Sequence, residues 1–266
     1  MVESFSTSKE SLVPLLALNS KSNKNIIIFP SDKEAKEFAT DFSNLNKNIF
    51  HLPSWDTLSY DSFVPTLDIQ GKRLEIAHLL LTSSNYNISA SIKAISQRIY
   101  FEELEICKIA TNEEIDFDLL VENLIHLNYQ RRDRVESKGS FAIRGGQLDV
   151  FPINYDLPLR VIFDGDLVNE IKTFDTISQR SISEINSILI VPANELFQIK
   201  HSDILNLSSN NKENLDDYEL FQYSQNLDQE KCLLDLTSKP TLHIVDKNLV
   251  DNQFKETIDI EKDTFD

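Results

Sequence analysis

The spacing of apolar residues changes near residue 105, and this change most limits the folds that the chain can adopt. Before it, short apolar runs at residues 25–29 and 88–90 alternate with helical patterns such as residues 32–42, where apolar residues recur every three or four positions. Strands that alternate with helices are typical of an α/β layer with a mostly parallel sheet. We therefore predict an α/β domain over residues 1–104.

Three further elements and a loop belong to this predicted domain. We expect a helix at residues 12–18, a strand at residues 48–52 and a helix at residues 71–81. The inner side of the last helix is predicted to carry Leu74, Ala77, His78 and Leu81. The loop before this helix holds the only tryptophan, Trp55, together with Phe63, and is too aromatic for a free linker. We predict that these two rings pin the loop over the edge of the sheet.

Residues 105–193 follow a different pattern. A helical stretch at residues 116–127 is followed by four short apolar runs, which turn residues separate. The runs are residues 140–143, 147–151, 159–163 and 167–174, and the separators include Gly145-Gly146 and Asp164-Gly165. Asp-Gly between apolar runs is a strong hairpin signal. We predict an inserted α+β domain built on an antiparallel sheet.

Residues 194–266 are rich in asparagine, aspartate and serine. We predict a loop at residues 208–214, a strand at residues 241–245 that returns the chain to the first layer, and a frayed tail from Lys255. Residues 201–266 hold 15 Asp and Glu but 6 Lys and Arg, a balance of −9 within a net charge of −17. So negative a surface repels the phosphate backbone, and we expect poor binding to duplex DNA.

The positions of the five glycines argue against a nucleotide site. The first is Gly71, so the segment at residues 18–25, where a phosphate-binding loop would lie, has Lys21 and Lys24 but no glycine. Such a loop needs glycines, because consecutive backbone N–H groups must turn toward the phosphates without a Cβ in the way. We therefore expect neither ATP binding nor ATP hydrolysis, and no other cofactor.

Other catalytic and metal-binding patterns are also missing. The five histidines are scattered without helical i,i+4 spacing, and no serine lies in a GxSxG elbow. Cys107 and Cys232 are far apart and outside any CxxC motif, which favours reduced thiols in a cytoplasmic protein. The longest apolar runs are only as long as a strand, so we predict no membrane contact, no catalytic residue and no metal ligand.

A basic island interrupts this acidic background. It consists of Arg131, Arg132, Arg134, Lys138 and Arg144. Two interpretations stay open: a solvated face that Asp133 and Glu136 balance, or a patch that docks a partner.

Two long motifs resemble a known family. The run LPSWDTLSYDSFVPTLDIQGKRL at residues 52–74 resembles the LPxWETLPYDxxSPxxDIxxxRL signature of bacterial transcription-repair coupling factors. Residues 143–180 resemble the second signature of that family, which the excision-repair protein UvrB shares in looser form, and ISQRIY at residues 95–100 fits between the two. The similarity covers roughly residues 25–195, in order and with compatible spacing.

The resemblance implies a fold and a role. It implies the N-terminal, UvrB-like module of such a factor: a degenerate RecA-like α/β layer, interrupted by an α+β domain that docks on UvrA. The RNA-polymerase-binding domain and the DNA translocase motor of these proteins lie further along. We therefore expect the chain to be a fragment, in which RNA polymerase, DNA and ATP are bound only by regions that it lacks.

The resemblance also implies partner-contacting residues. The arginines of the family match Arg144 and Arg160, whereas its interfacial aromatic position is occupied by Asp164. Phe163 is the neighbouring aromatic residue and either replaces that contact or belongs to the core. Neighbouring antiparallel strands could present both arginines on one face. Alternatively, each arginine pairs internally with Asp149, Asp164 or Asp166.

The function predicted from these residues is a non-catalytic adaptor that recruits UvrA in transcription-coupled nucleotide excision repair. One alternative is a DNA-dependent ATPase or helicase domain, which the glycine-free N-terminal region disfavours. The other is a UvrB-type damage-recognition fragment, which would need an aromatic hairpin. Residues 82–95 contain Tyr86 as their single aromatic residue, so this alternative is also disfavoured.

Overall fold

The computed structural model describes residues 2–5, 22–43, 48–57, 63–99, 104–195 and 231–265. The chain forms two compact units, each built from separate chain segments. The first comprises Met1–Pro65, Ile76–Glu102 and Lys200–Asp266, and the second comprises Thr66–Glu75 and Glu103–Ile199. The predicted helix at residues 12–18 and loop at residues 208–214 lie outside the described residues.

A parallel five-stranded sheet forms the centre of the first unit. Its strands are β1 (Val2–Phe5), β2 (Lys24–Phe29), β3 (Phe50–Leu52), β4 (Tyr86–Ser91) and β13 (Thr241–Val245). Their order is β1-β13-β2-β4-β3, and all four pairs are parallel. Successive side chains of β2 point to opposite faces of the sheet, yet Ile26, Ile27 and Ile28 are all buried. This pattern is expected for a central strand that is covered on both faces.

Within the residues described, four helices and one short 3-10 helix lie between or after these strands in the sequence. They are α1 (Asp32–Ser43), α2 (Leu67–Thr82), α3 (Ile92–Ser96), the 3-10 helix Leu233–Leu236, and α5 (Lys247–Phe265). The predicted apolar face of α1 is confirmed: Ala35, Phe38, Ala39 and Phe42 are all buried. Its Phe38 ring lies 5.1 Å from that of Phe29 in β2, so the amphipathic helix covers the sheet.

Some local expectations differ from the structure. Helix α2 begins at Leu67, four residues earlier than predicted, and it buries Leu80 whereas Leu81 is exposed. Trp55 is buried and its backbone N–H donates to Gln97 Oε1 at 2.9 Å, but the Phe63 ring is 60% exposed. Trp55 is therefore held in place as predicted, whereas the prediction for Phe63 is wrong. Where a frayed tail was predicted from Lys255, the structure has helix α5.

The second unit contains a six-stranded sheet and a two-stranded sheet. Its strands are β5 (Cys107–Ala110), β6 (Gln130–Arg131), β7 (Ser140–Arg144), β8 (Gln147–Phe151), β9 (Leu159–Asp164), β10 (Leu167–Phe174), β11 (Ser181–Glu184) and β12 (Ser187–Ile190). The larger sheet has the order β11-β10-β9-β8-β7-β6 and is antiparallel except for the β6–β7 pair, while β12 pairs with β5. The fold class, mixed α/β with one parallel and further antiparallel sheets, is confirmed.

Helix α4 (Phe117–His126) covers one face of the larger sheet. The Asp116 carboxylate caps this helix by accepting from the Leu119 N–H at 2.9 Å. Leu120 and Leu124 are buried in one cluster with apolar side chains of β7, β8 and β9, including Phe141, Leu148, Val150, Leu159 and Val161. Burial of this apolar area is what holds the unit together.

A segment that precedes the predicted insert also belongs to the second unit. The Arg73 side chain is buried, and its Nε lies 3.0 and 3.1 Å from the carboxylate oxygens of Glu195. The Gln70 amide oxygen accepts from the backbone N–H of Glu195 at 2.7 Å. A Cβ at Gly71 would lie 2.4 Å from the Ile153 carbonyl oxygen, so helix α2 packs directly against backbone. The sequence did not predict this packing.

Candidate partner-binding face

The register of the six-stranded sheet determines which side chains share a face. Ala142, Asp149, Arg160, Lys172 and Glu184 are successive Cα partners across β7 to β11. The next row contains Arg144, Gln147 and Ile162. Because side chains two positions apart point to the same face, Arg144 and Arg160 lie on one face of the sheet. Helix α4 covers the opposite face.

Arg160 makes several contacts within the second unit. Its Nε and Nη2 donate to the two carboxylate oxygens of Asp149 at 2.8 and 2.9 Å, and its Nη1 donates to the Gln179 carbonyl at 3.1 Å. The guanidinium also lies over the Phe174 ring, 4.6 Å from the ring centroid. The hydrogen bond with Asp149 raises the pKa of Arg160. The internal pairing that the sequence left open is therefore present for Arg160, and its contact with a partner stays a prediction.

Arg144 is exposed at the end of β7. Its Nη2 donates to the backbone carbonyl of Asp133 at 3.0 Å. Gly145 follows with a φ of +60°, a conformation that glycine adopts without strain and that turns the chain into β8. Arg144 is thus placed where a partner could reach its guanidinium.

Phe163 lies on the other face of the sheet. Its side chain is 8% exposed and packs edge-to-face on Phe117 of α4, with ring centroids 5.0 Å apart. The neighbouring Asp164, at the position where the family has its aromatic contact, is exposed. Phe163 stabilises the core of the unit, and its predicted role in partner binding stays a prediction.

The basic island divides into two parts. Lys138 is drawn away from the exposed arginines, because its Nζ contacts the Asp68 carboxylate and donates to the Ile153 carbonyl at 3.1 Å. Arg131, Arg132 and Arg134 are exposed on residues 131–136. Arg134 Nη2 donates to the carbonyls of Thr176 and Ile177, at 2.8 Å each. This contact joins residues 131–136 to the β10–β11 turn, residues 175–180, and we call these two segments the paired loops.

The first unit has a polar cluster at the carboxyl ends of β2, β3 and β4. The Asp32 carboxylate accepts from the Ser54 N–H at 2.9 Å and from Ser91 Oγ at 3.2 Å, and His51 Nε2 lies 3.6 Å away. Burial alone would raise the pKa of this carboxyl, but its three polar neighbours outweigh that effect and lower the pKa. In an open α/β sheet, ligands bind at this edge. In the first unit, the Asp32 carboxylate occupies this edge.

Three further observations concern metal ligands, thiols and helix length in the described residues. No group of three or more His, Cys, Asp and Glu within it could hold a metal ion. Burial raises the pKa of Cys107 to about 11, so its thiol stays protonated and is a poor nucleophile at neutral pH. None of the helices described is both long and apolar enough to cross a membrane.

A comparison with known protein families finds a match in the second unit. Residues 107–196, which lie within the second unit, match the family described as the UvrB interaction domain. The recognition made from the sequence is confirmed. The chain resembles an N-terminal, UvrB-like module of the kind found in transcription-repair coupling factors.

Individual relatives support the same assignment. The transcription-repair-coupling factor of Escherichia coli (strain K12) is 29% identical over 174 residues, which is 64% of this chain and 15% of the relative. That of Bacillus subtilis (strain 168) is 26% identical across 94% of this chain and 24% of its own length. The UvrABC system protein B of Thermosipho africanus is 23% identical across 64% of this chain and 28% of its own length. The chain therefore spans less than a third of the length of these relatives.

Proposed function

We propose that this chain is a non-catalytic adaptor whose second unit recruits UvrA for transcription-coupled nucleotide excision repair in the bacterial cytoplasm. The observation that carries the proposal is the family match over residues 107–196, on a unit that presents the exposed Arg144 beside the exposed arginines of residues 131–136. The relatives are named for transcription-repair coupling and for the UvrABC system, which supports this role.

Arginine suits the proposed contact. Its planar guanidinium can donate two parallel hydrogen bonds to a carboxylate, a geometry that lysine cannot copy. Arg144 already uses Nη2 on the Asp133 carbonyl, so its side chain is oriented before a partner arrives. In a chain with a net charge of −17, a local cluster of arginines would select an acidic partner surface and accelerate the encounter.

We further propose that the first unit is a degenerate RecA-like layer that binds no nucleotide. Its parallel five-stranded sheet fits such a layer, and the sequence has no glycine before Gly71 to form a phosphate loop. The Asp32 carboxylate at the carboxyl edge would repel a phosphate. Contacts with RNA polymerase, DNA and ATP then belong to other parts of the longer relatives.

Titration with purified UvrA tests the proposal. We expect the wild-type chain to bind and Arg144→Ala to bind about tenfold to a hundredfold more weakly, since truncation of an interfacial arginine removes about 1–3 kcal/mol. The matched control is Lys33→Ala, a cation of the first unit whose side chain is 84% exposed, which should leave the affinity unchanged.

The melting temperature separates an interface from a stability effect. Arg144 is exposed, so Arg144→Ala should melt within about 3 °C of the wild type, because surface substitutions change stability by less than about 0.5 kcal/mol. Full affinity in folded Arg144→Ala would contradict a role for this residue. Failure of the wild-type chain to bind UvrA would refute the proposed function.

A further inference from the structure

An isoleucine is almost fully exposed in the second unit. Ile177 lies in the turn between β10 and β11 and is 85% exposed, the highest value among the large apolar side chains described. Scattered apolar residues on a surface are ordinary and need no explanation. Ile177 differs from such residues because hydrogen bonds hold the backbone around it at many points.

The turn is first fixed by contacts of its own residues. The Asp175 carboxylate accepts from the backbone N–H of Ser178 at 2.7 Å and from its hydroxyl at 2.8 Å. The Asp175 N–H donates to the Arg180 carbonyl at 3.0 Å, and the Gln179 N–H donates to the Asp175 carbonyl at 2.8 Å. Four hydrogen bonds over six residues leave little freedom to the backbone that carries Ile177.

Three further side chains hold the turn from outside or across it. Arg134 donates to the carbonyls of Thr176 and Ile177 at 2.8 Å each. The Gln179 side chain donates to the Thr176 carbonyl at 2.8 Å, and Arg160 donates to the Gln179 carbonyl at 3.1 Å. An apolar side chain on so fixed a backbone loses little conformational entropy when a partner covers it.

The charge around Ile177 is slightly positive, and the Arg134 Nε–Glu136 Oε1 ion pair at 3.5 Å balances part of it. Arg131, Arg132, Arg134 and Arg180 are exposed on the paired loops, against Asp133, Glu136 and Asp175. Arg144 extends the same surface, because it donates to the Asp133 carbonyl next to Arg134. The wider chain is acidic, so this basic character is local.

We propose that Ile177 is the apolar anchor of a docking surface formed by the paired loops and Arg144, with Arg134 as a positioning residue that presents it. The partner surface that fits is an apolar recess rimmed by carboxylates. A central apolar anchor inside a charged rim is the arrangement that gives interfaces most of their affinity. The inference rests on the proposed function, in which this partner is UvrA.

Two isoleucine variants of the full chain test the anchor against UvrA. Ile177→Ser should weaken binding about tenfold or more, since it removes an apolar side chain from a desolvated contact. The matched control is Ile182→Ser on strand β11, where the isoleucine is 58% exposed, and its affinity should stay within about twofold of the wild type. Both variants should keep the wild-type melting temperature, because neither side chain lies in the core.

A conservative variant tests the positioning role of Arg134. Arg134→Lys keeps the charge but cannot hold two carbonyls with a planar fork, so the partner should dissociate faster while the salt dependence of association is retained. If Arg134 acts through Ile177, the double variant Arg134→Lys/Ile177→Ser should bind no more weakly than Ile177→Ser alone. Additive losses would show that Arg134 contacts the partner separately and would overturn its positioning role.

The outcomes distinguish this inference from the function on which it rests. If the wild-type chain binds UvrA and Arg144→Ala weakens it, but Ile177→Ser binds normally, the anchor is refuted and the proposed function stands. Equal weakening by Ile177→Ser and Ile182→Ser would also refute a specific anchor. If the wild-type chain does not bind UvrA, the proposed function and the anchor fail together.

Discussion

Replacement of Arg160 by alanine should lower the free energy of unfolding of the second unit. In the folded unit, Arg160 donates two hydrogen bonds to the buried Asp149 and lies over the Phe174 ring. Arg160→Ala would leave the Asp149 carboxylate, 4% exposed, with the Gln147 amide as its neighbouring donor. A buried charge that loses its counter-ion is strongly destabilising.

The expected size follows from these contacts. Removal of one partner from a buried ion pair costs about 3–5 kcal/mol. The Arg160 side chain is 14% exposed, so water can replace part of the interaction, and the lower end, about 3 kcal/mol, is appropriate. For a unit of this size such a loss corresponds to a melting temperature about 10–20 °C lower.

The assay must report on the correct unit. Trp55, the single tryptophan, lies in the first unit, so its fluorescence does not follow unfolding of the second. Amide hydrogen exchange measured on peptides from residues 140–174 does. We expect faster exchange there in Arg160→Ala, unchanged exchange in Arg144→Ala, and partial recovery when Asp149→Asn is added to Arg160→Ala. Wild-type exchange in Arg160→Ala would refute the reasoning, because the ion pair would then contribute nothing to stability.

Three other predictions follow from the fold. Gly71→Ala should destabilise the second unit by about 1–3 kcal/mol in urea unfolding, because its Cβ would meet the Ile153 carbonyl, whereas the same change in an exposed helix is stabilising. A stability equal to or above wild type would contradict that packing. Asp32→Asn should lower the free energy of unfolding of the first unit at pH 7, as measured through Trp55 fluorescence. Because the folded pKa of Asp32 is lowered, its contribution is present above the unfolded value of 3.8 and is lost as the pH falls through the folded pKa. When the pH falls below 4, the free energy of unfolding should therefore decrease less in the variant than in the wild type. If it changes equally with pH in both proteins, the Asp32 carboxylate does not stabilise the first unit in this way. Finally, calorimetric titration with ATP should give no binding, and saturable heat would contradict the degenerate layer.

Much of the fold could be predicted because its signals are local. The apolar stripe of α1 and the glycines between β7 and β8 or β9 and β10 depend on residues that are close in sequence, and the structure contains all of these elements. The predicted start of α2 was less accurate, because the helix begins at Leu67 rather than at Gly71. Its first turn lacks a distinct apolar stripe that would extend the pattern.

The candidate face depended on long-range pairing, which the sequence left open. Asp149, Asp164 and Asp166 were all possible partners for Arg160, and the register of β8 against β9 selects Asp149. Ile177 was missed altogether, although an isolated isoleucine among polar turn residues is a signal that could have been noticed. Its backbone carbonyl accepts a hydrogen bond from Arg134, which is 43 residues away in the sequence from Ile177.

The Arg73–Glu195 pair has a consequence for any attempt to produce the UvrA-binding part on its own. A polypeptide cut to the family match, residues 107–196, would retain Glu195 but lose Arg73 and Gln70, which satisfy it. Its carboxylate would then lose the ion pair with Arg73, and the Ile153 backbone that packs on Gly71 would be uncovered. The second unit is therefore discontinuous as a folding unit. Addition of residues 66–75 through a short linker, rather than extension of either terminus, is what a soluble excised domain would need.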